Sequence, residues 1–130
     1  MKVSFDFDST LSFPNVQLIA HNLIKTNHDV HIVTSRQSNN VAGNPRWNDD
    51  LFLVASSLNI PDQNIHFCNL TPKYRFFSDN KGFGVHLDDE PDDVHEINTF
   101  TDTKAILFVQ TYDNTCLRDF MNQVFLLNQL

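Results

Sequence analysis

Short apolar runs alternate with segments of helical periodicity along this chain of 130 residues, and this alternation is the feature that most constrains the fold. Runs rich in β-branched and aromatic residues predict five strands, at 2–7, Val30–Val33, Ile65–Cys68, Gly82–Leu87 and Ala105–Val109. Helices are predicted at Pro14–Lys25, from about Asp49 until Pro61, from Thr71-Pro72 onward and at Leu117–Leu127, with a short helix or turn at Pro91–Phe100. This order predicts an α/β protein with a three-layer Rossmann-like fold, in which helices cover both faces of a five-stranded, mostly parallel sheet.

Composition indicates one domain, spanning residues 1–130. A hydrophobic fraction of 41% supports a packed core, and a charged fraction of 19% is too low for disorder. We expect a cytoplasmic protein with no membrane partner, because neither a signal-like start nor an apolar run of membrane-spanning length is present. Its oligomeric state is left open.

The formal charge of −7 disfavours non-specific binding to nucleic acid. The cations are unevenly distributed, however. Five of the nine fall between positions 36 and 81: Arg36, Arg46, Lys73, Arg75 and Lys81. We therefore expect that region to attract anions although the whole chain repels them.

Polar side chains recur where the predicted strands end. They are Asp6 and Asp8 after the first strand, Thr34 after the second, Lys73 after the third, and Asp88 and Asp89 after the fourth. Because the carboxyl ends of parallel strands meet at one edge of a sheet, we expect these side chains to form one site.

Such a cluster has chemical consequences. Two carboxylates about 4 Å apart repel by roughly 4 kcal/mol at an effective dielectric constant near 20, so the group needs a cation. Hard oxygen ligands favour Mg²⁺, while Lys73 and the Thr34 hydroxyl are donors suited to a phosphoryl group. One carboxylate can attack phosphorus while a neighbour transfers protons.

These residues resemble a known family. Asp6-Phe7-Asp8-Ser9-Thr10, Thr34, Lys73 and Asp88-Asp89 look, in this order, like the four motifs of the haloacid dehalogenase-like phosphohydrolases, over positions 1 to about 110. The resemblance implies an enzyme: a magnesium-dependent phosphatase that hydrolyses a phosphate monoester through an aspartyl-phosphate.

The resemblance also implies a role for each residue. Asp6 is the nucleophile, and Asp8 is the acid that protonates the leaving group and later activates water. Thr34 binds phosphoryl oxygens, and Lys73 neutralises them and holds Asp6. Mg²⁺ is bound by Asp6, the backbone carbonyl of Asp8, Asp88 and, directly or through water, Asp89.

Some positions leave alternatives open. Ser9 stands where the family usually has glycine, and Lys81 competes with Lys73 for the lysine position, although helix placement favours Lys73. Asp92 and Asp93 are either a further acidic ligand or the solvated first turn of a helix. No cap domain fits between the predicted elements, so the Gln37–Asn48 loop is the internal candidate for a partial lid.

Candidate substrate-binding residues are Ser35, Arg36 and Trp47. Trp47, with Arg36 and Arg46, would clamp a base or a phosphate, but we favour the alternative that Trp47 packs as a lid on the following helix. Nucleotides or nucleic-acid ends are the first expectation for the substrate, and sugar phosphates and phosphoproteins remain open. The alternative function is a non-hydrolytic phosphate-binding domain or a receiver-like signalling module, although the order of the acidic pairs and the lysine argues against a receiver.

Overall fold

The computed structural model describes residues 1–111 and 114–129. Five parallel strands form one sheet in the order β3-β2-β1-β4-β5. The strands are β1 Lys2–Phe5, β2 Asp29–Thr34, β3 Ile65–Phe67, β4 Phe83–Asp88 and β5 Lys104–Leu107. The helices are α1 Pro14–Lys25, α2 Asn39–Ala42, α3 Asp49–Ser57, α4 Lys73–Asp79, α5 Pro91–Phe100 and α6 Thr115–Asn128.

Helices cover the sheet on both faces, as the strand–helix alternation predicts. On one face, α1, α3 and α6 bury their apolar sides against the central strands, where the rings of Phe5 and Phe120 lie 5.2 Å apart. On the other face, α4 and α5 contribute Phe77 and Ile97 to a smaller core that includes Phe83. The three-layer α/β prediction is confirmed, with the sheet parallel throughout.

The central strand places the start of the chain at the centre of the molecule. Phe5 aligns with Ile32 of β2 and Leu87 of β4, and both Val3 and Phe5 are fully buried. Because side chains alternate along a strand, Ser4 and the following Asp6 point to the opposite face, toward α4 and α5. β1 therefore delivers Asp6 to the carboxyl edge of the sheet.

Two local expectations were wrong. The strand predicted at 2–7 ends at Phe5, because the chain enters a wide turn at Phe7–Leu11. The Gln37–Asn48 segment, predicted as a loop, contains α2, whose N-terminus is capped by Ser38 Oγ accepting the Val41 N–H at 3.3 Å.

Asn48 immediately precedes α3. Its side chain makes no capping hydrogen bond to α3. Instead it is buried and donates to the Gln37 carbonyl at 3.0 Å and to Asn39 Oδ1 at 2.8 Å. These two hydrogen bonds hold the end of the segment that follows β2 against its beginning.

The connections that follow β1 and β3 are short. Only residues 6–13 separate β1 from α1, and the single helix α4 connects β3 to β4. The carboxyl edge of the sheet is consequently open. Among the described residues, no helix has the length and apolar character needed to cross a bilayer.

The packing of α6 gives a stability prediction. Phe120 is fully buried, whereas Phe125 on the same helix is 65% exposed. Phe120→Ala should lower the free energy of unfolding by about 3–5 kcal/mol through lost burial and a residual cavity, and the matched Phe125→Ala by less than about 0.5 kcal/mol. Urea unfolding measures both values, and equal losses would contradict the packing of α6 on the sheet.

Candidate active site

The wide turn after β1 shapes the entrance to the site. The Leu11 N–H donates to the Asp6 carbonyl at 3.1 Å, and the Ser12 N–H donates to the Phe7 carbonyl at 2.9 Å. Within the turn, Ser9 has φ +56°, in the left-handed region that favours glycine, and its N–H donates to Ser12 Oγ at 3.1 Å. The backbone thus reverses directly after Asp8, whose side chain is exposed.

Lys73 joins the first and fourth strand ends. Its Nζ donates to Asp6 Oδ1 at 2.7 Å and to Asp88 Oδ2 at 2.5 Å, and all three side chains are buried. Lys73 is the first residue of α4, so the turn after β3 aims it across the sheet edge. Lys81 is exposed and lines a different cavity with Phe77 and Thr103, so the geometry assigns the site lysine to Lys73.

The charges of this buried group are strongly coupled. Burial raises the pKa of Asp6 well above its usual range, and Asp88 adds to this, although the Lys73 ammonium opposes both. Burial alone would raise the pKa of Asp88 as well, but the His86 hydrogen bond and the Lys73 charge outweigh it and lower that pKa to about 2. Burial alone would lower the pKa of Lys73, yet the two carboxylates hold it above its usual value. Lys73 is therefore a permanent cation.

A buried hydrogen-bond relay supports Asp88 from behind. The Ser4 hydroxyl lies 2.7 Å from His86 Nδ1, and His86 Nε2 lies 2.8 Å from Asp88 Oδ2. Burial lowers the pKa of His86, which is therefore neutral, donating from Nε2 to the carboxylate and accepting from Ser4.

The sequence patterns did not identify Ser4 and His86 as residues that support the site. The signal was present in the strand alternation. Ser4 stands two residues before Asp6, and His86 two residues before Asp88, so the polar residues share a face of adjacent strands. A buried serine and histidine in register beside the two carboxylates indicate support for the site.

Arg36 forms the second ionic group. Its Nη2 and Nε donate to the two oxygens of Asp8 at 2.7 and 2.9 Å, and its Nη1 and Nη2 donate to the two oxygens of Asp50 at 2.8 and 2.9 Å. Nη1 also donates to Asn48 Oδ1 at 3.3 Å, and Phe7 lies under the guanidinium with its centroid 5.0 Å away. The hydrogen bonds to Asp50 and Asp8 raise the pKa of Arg36 further above its usual range.

The predicted strand-end residues line one open cleft of about 250 Å³. It is lined by Asp6, Asp8, Ser9, Thr34, Ser35, Lys73, Asp88, Asp89, Glu90 and Asp93. Thr34 Oγ1 accepts the Arg36 N–H at 3.2 Å, so the hydroxyl can still donate its own proton into the cleft.

Asp93 belongs to the cleft, whereas Asp92 is exposed and lies outside the lining. Asp93 Oδ2 lies 3.8 Å from Lys73 Nζ, and burial raises the pKa of this carboxyl. The two residues of the Asp92-Asp93 pair therefore fit different interpretations. Asp92 occupies the solvated first turn of α5, and Asp93 faces the site.

Three carboxylates have the donor set of a divalent cation site. Asp6, Asp88 and Asp89 each offer one oxygen, and these oxygens lie within 4.8 Å of one another. Each residue is an oxygen donor, which suits Mg²⁺ better than Zn²⁺. The side chain of Asp8 lies outside this group and binds Arg36.

Three of the five cations between positions 36 and 81 are paired with carboxylates. Arg36 is neutralised by Asp8 and Asp50, and Lys73 by Asp6 and Asp88. Arg46 pairs with Asp49 at 2.9 Å and is 84% exposed. Arg36 and Lys73 therefore bring no uncompensated positive charge to the site.

Trp47 stands just before α3 and is half-buried. It is 51% exposed and, with Arg36, Gln37, Asp50 and Leu70, lines a groove of about 520 Å³ beside the acidic cleft. The segment that carries it is held by the buried Asn48. Gln37 and Trp47 of the 37–48 segment therefore form part of the wall of this groove.

The raised pKa of Asp6 gives a pH prediction. An acid whose pKa is higher in the folded state than in the unfolded state lowers the free energy of unfolding as pH rises. The loss begins above the unfolded pKa near 3.9 and stops once the folded pKa is passed. Asp6→Asn removes that titration. The free energy of unfolding of Asp6→Asn minus that of wild type should therefore rise with pH from 4 upward and then level off. Urea unfolding in the presence of EDTA between pH 4 and 8 measures the difference, and a difference that falls with pH would contradict a raised Asp6 pKa.

No protein-family model matches the chain, and a comparison with curated proteins finds no significant match. What the cleft can do chemically therefore has to be derived from its own residues.

Proposed function

We propose that this protein is a magnesium-dependent phosphatase of the haloacid dehalogenase-like type, which hydrolyses a phosphate monoester through a phosphorylated Asp6. The observation that carries the proposal is the state of Asp6. Lys73 pins Oδ1 at 2.7 Å, whereas Oδ2 accepts a long hydrogen bond of 3.4 Å from the Thr10 hydroxyl. One oxygen is thus fixed and the other is available at the edge of the sheet, as a positioned nucleophile requires.

The first step transfers the phosphoryl group to the protein. Asp6 Oδ2 attacks phosphorus, the bond from phosphorus to the leaving oxygen breaks, and Asp8 gives its proton to that oxygen. Thr34 and Ser35, on the cleft wall, are placed to donate to the equatorial phosphoryl oxygens. Lys73 supplies fixed positive charge close to the reacting atoms.

The second step restores the carboxylate. Asp8, now ionised, accepts a proton from water, the water oxygen attacks phosphorus, and the bond from phosphorus to Asp6 Oδ2 breaks. Phosphate is released and Asp8 is again protonated. The open cleft gives water direct access to the phosphorylated side chain.

Asp6, Asp88 and Asp89 would hold the magnesium ion, with the Asp8 carbonyl as a further oxygen ligand, and His86 would fix the orientation of Asp88. A bound magnesium ion would supply charge that offsets the negative phosphoryl oxygens and that favours the ionised form of Asp6 which the first step requires, against the effect of burial. Without it, the phosphate would approach a cleft whose side chains are mostly carboxylates.

Arg36 positions Asp8 in this scheme. The two hydrogen bonds from Arg36 hold the Asp8 carboxyl group in place. Arg36 would keep that group oriented in both steps, in which Asp8 acts first as proton donor and then as base.

The first test is phosphate release from a panel of nucleotides, sugar phosphates and an aryl phosphate in the presence of Mg²⁺. Asp6→Asn should reduce turnover by at least about 10⁴-fold, the scale of nucleophile removal, and EDTA should abolish it until Mg²⁺ is restored. Circular dichroism checks that the variant is folded. Undiminished activity of Asp6→Asn would refute the mechanism, and a folded, magnesium-binding wild type that is silent on the whole panel would favour the non-hydrolytic or signalling alternative.

The proton donor gives a separate prediction. Asp8→Asn should lower kcat/KM for an alkyl phosphate by about 10²–10⁴-fold, because kcat/KM reports the first step and not the later attack by water. The loss of kcat/KM should be smaller for 4-nitrophenyl phosphate, because nitrophenolate leaves without needing a proton. The matched control is Asp92→Asn, which makes the same charge change on an exposed residue outside the cleft. Equal losses on the two substrates would show that Asp8 is not the acid of the first step.

A further inference from the structure

The guanidinium of Arg36 is saturated at its edges. Its five N–H donors are matched by five hydrogen bonds, two to Asp8, two to Asp50 and one to Asn48. Arg36 therefore has no donor left for a phosphate or carboxylate of a ligand while this network holds. Phe7 covers one face of the guanidinium. Arg36 keeps 20% of its side chain exposed and lines the neighbouring groove.

Two exposed apolar side chains stand in that groove. Trp47 is 51% exposed and Leu70 is 71% exposed. Leu70 has φ +66° and follows Asn69 at φ +54°, a conformation that is costly for a bulky side chain and is usually found where function requires it.

The strained turn is held by several contacts. The Leu70 N–H donates to the Ser35 carbonyl at 2.9 Å, and the Asn69 N–H donates to the Arg36 carbonyl at 3.1 Å. The Ser38 N–H donates to Asn69 Oδ1 at 2.8 Å. The loops after β2 and β3 are thereby fixed to each other. They present Leu70 to solvent beside the groove as a preformed wall.

The groove and the acidic cleft lie on either side of the Asp8–Arg36 ion pair. Asp8 lines the cleft and binds Arg36, and Arg36 lines the groove. In the proposed reaction, Asp8 protonates the leaving oxygen, so the leaving group must lie next to Asp8. The groove is therefore where the rest of the substrate would extend.

We infer that this groove, lined by Arg36, Trp47 and Leu70, binds the base of a nucleoside leaving group, which is flat, uncharged and heteroaromatic. The substrate is then a free nucleoside monophosphate, an assignment that rests on the proposed function. A base would stack on Trp47 and on Arg36, with Leu70 against its edge. The volume of about 520 Å³ is within the range of small-molecule sites.

Charge favours a mononucleotide over a polynucleotide end. The Arg36 cation is shared by two carboxylates, Asp8 and Asp50, so the groove offers no surplus positive charge. The chain as a whole carries −7. Further phosphates beyond the one in the cleft would meet repulsion rather than counter-charge. The groove thus recognises a ring by stacking.

Binding can be tested without turnover, because Trp47 is the one tryptophan of the chain. In Asp6→Asn with Mg²⁺, the 5′-monophosphates of adenosine, guanosine, cytidine and uridine should quench tryptophan fluorescence saturably, and glycerol 3-phosphate should not. N-acetyltryptophanamide in place of the protein corrects for nucleotide absorbance. The inference would be overturned if none of the four nucleotides quenched the fluorescence saturably.

Turnover gives the second readout. The ratio of kcat/KM for nucleoside monophosphates to kcat/KM for glycerol 3-phosphate should fall about tenfold or more in Trp47→Ala and several-fold in Leu70→Ala, the scale of one lost stacking contact. Leu53→Ala is the matched control, since Leu53 is 74% exposed on α3 and outside the groove. An unchanged ratio in Trp47→Ala would overturn the inference. Preference for a 5′-phosphorylated oligonucleotide over the mononucleotide would overturn the substrate assignment.

The two proposals fail separately. Hydrolysis of glycerol 3-phosphate that depends on Asp6, with neither quenching nor a ratio change, leaves the phosphatase standing and removes the groove. Quenching by nucleotides without hydrolysis of any substrate supports the groove as a nucleotide site and removes the phosphatase.

Discussion

The buried ammonium of Lys73 is the interaction on which the site depends. It bonds Asp6 and Asp88 across the ends of adjacent strands, and without it two carboxylates would be buried next to each other with no cation of the protein between them. The same contact fixes one oxygen of Asp6 and leaves the other with a long hydrogen bond of 3.4 Å from the Thr10 hydroxyl. α4 positions that side chain, because Lys73 is its first residue and Phe77, one turn later, anchors the helix in the second core.

Polar groups extend this arrangement into the protein interior. Ser4 and His86 lie on the sheet face covered by α4 and α5, and they hold Asp88 through a relay whose members are fully buried. Buried polar groups of this kind are costly unless each finds a partner, and here each does. Beside the cleft, the hydrogen bonds of Arg36 to Asp8, Asp50 and Asn48 join the segments that carry these residues. A fixed inner lysine and a fixed outer arginine thus bracket the cleft.

Sequence patterns predicted the sheet and the strand-end residues because these follow from local periodicity and from the geometry of parallel sheets. Pro14–Lys25 and Pro91–Phe100 have the predicted bounds, and helix placement favoured Lys73 over Lys81 for the same reason that the structure does. The partners of Arg36 could not be predicted, since Asp8, Asp50 and Asn48 approach it from segments far apart in sequence. The exposed position of Leu70 depends on a left-handed turn held by another loop. The support given by His86 was readable from strand alternation but requires the register of β1 against β4.

The central claim is that Asp6 becomes phosphorylated during turnover. Mass spectrometry of peptides from the Asp8→Asn variant, quenched in acid after incubation with Mg²⁺ and a phosphate monoester with a good leaving group, tests it most directly, because loss of the base that activates water should let the intermediate accumulate. The account predicts one added phosphoryl group, located on Asp6. Phosphorylation of a different residue, or phosphate release by a variant whose Asp6 never carries the group at any quench time, would contradict it.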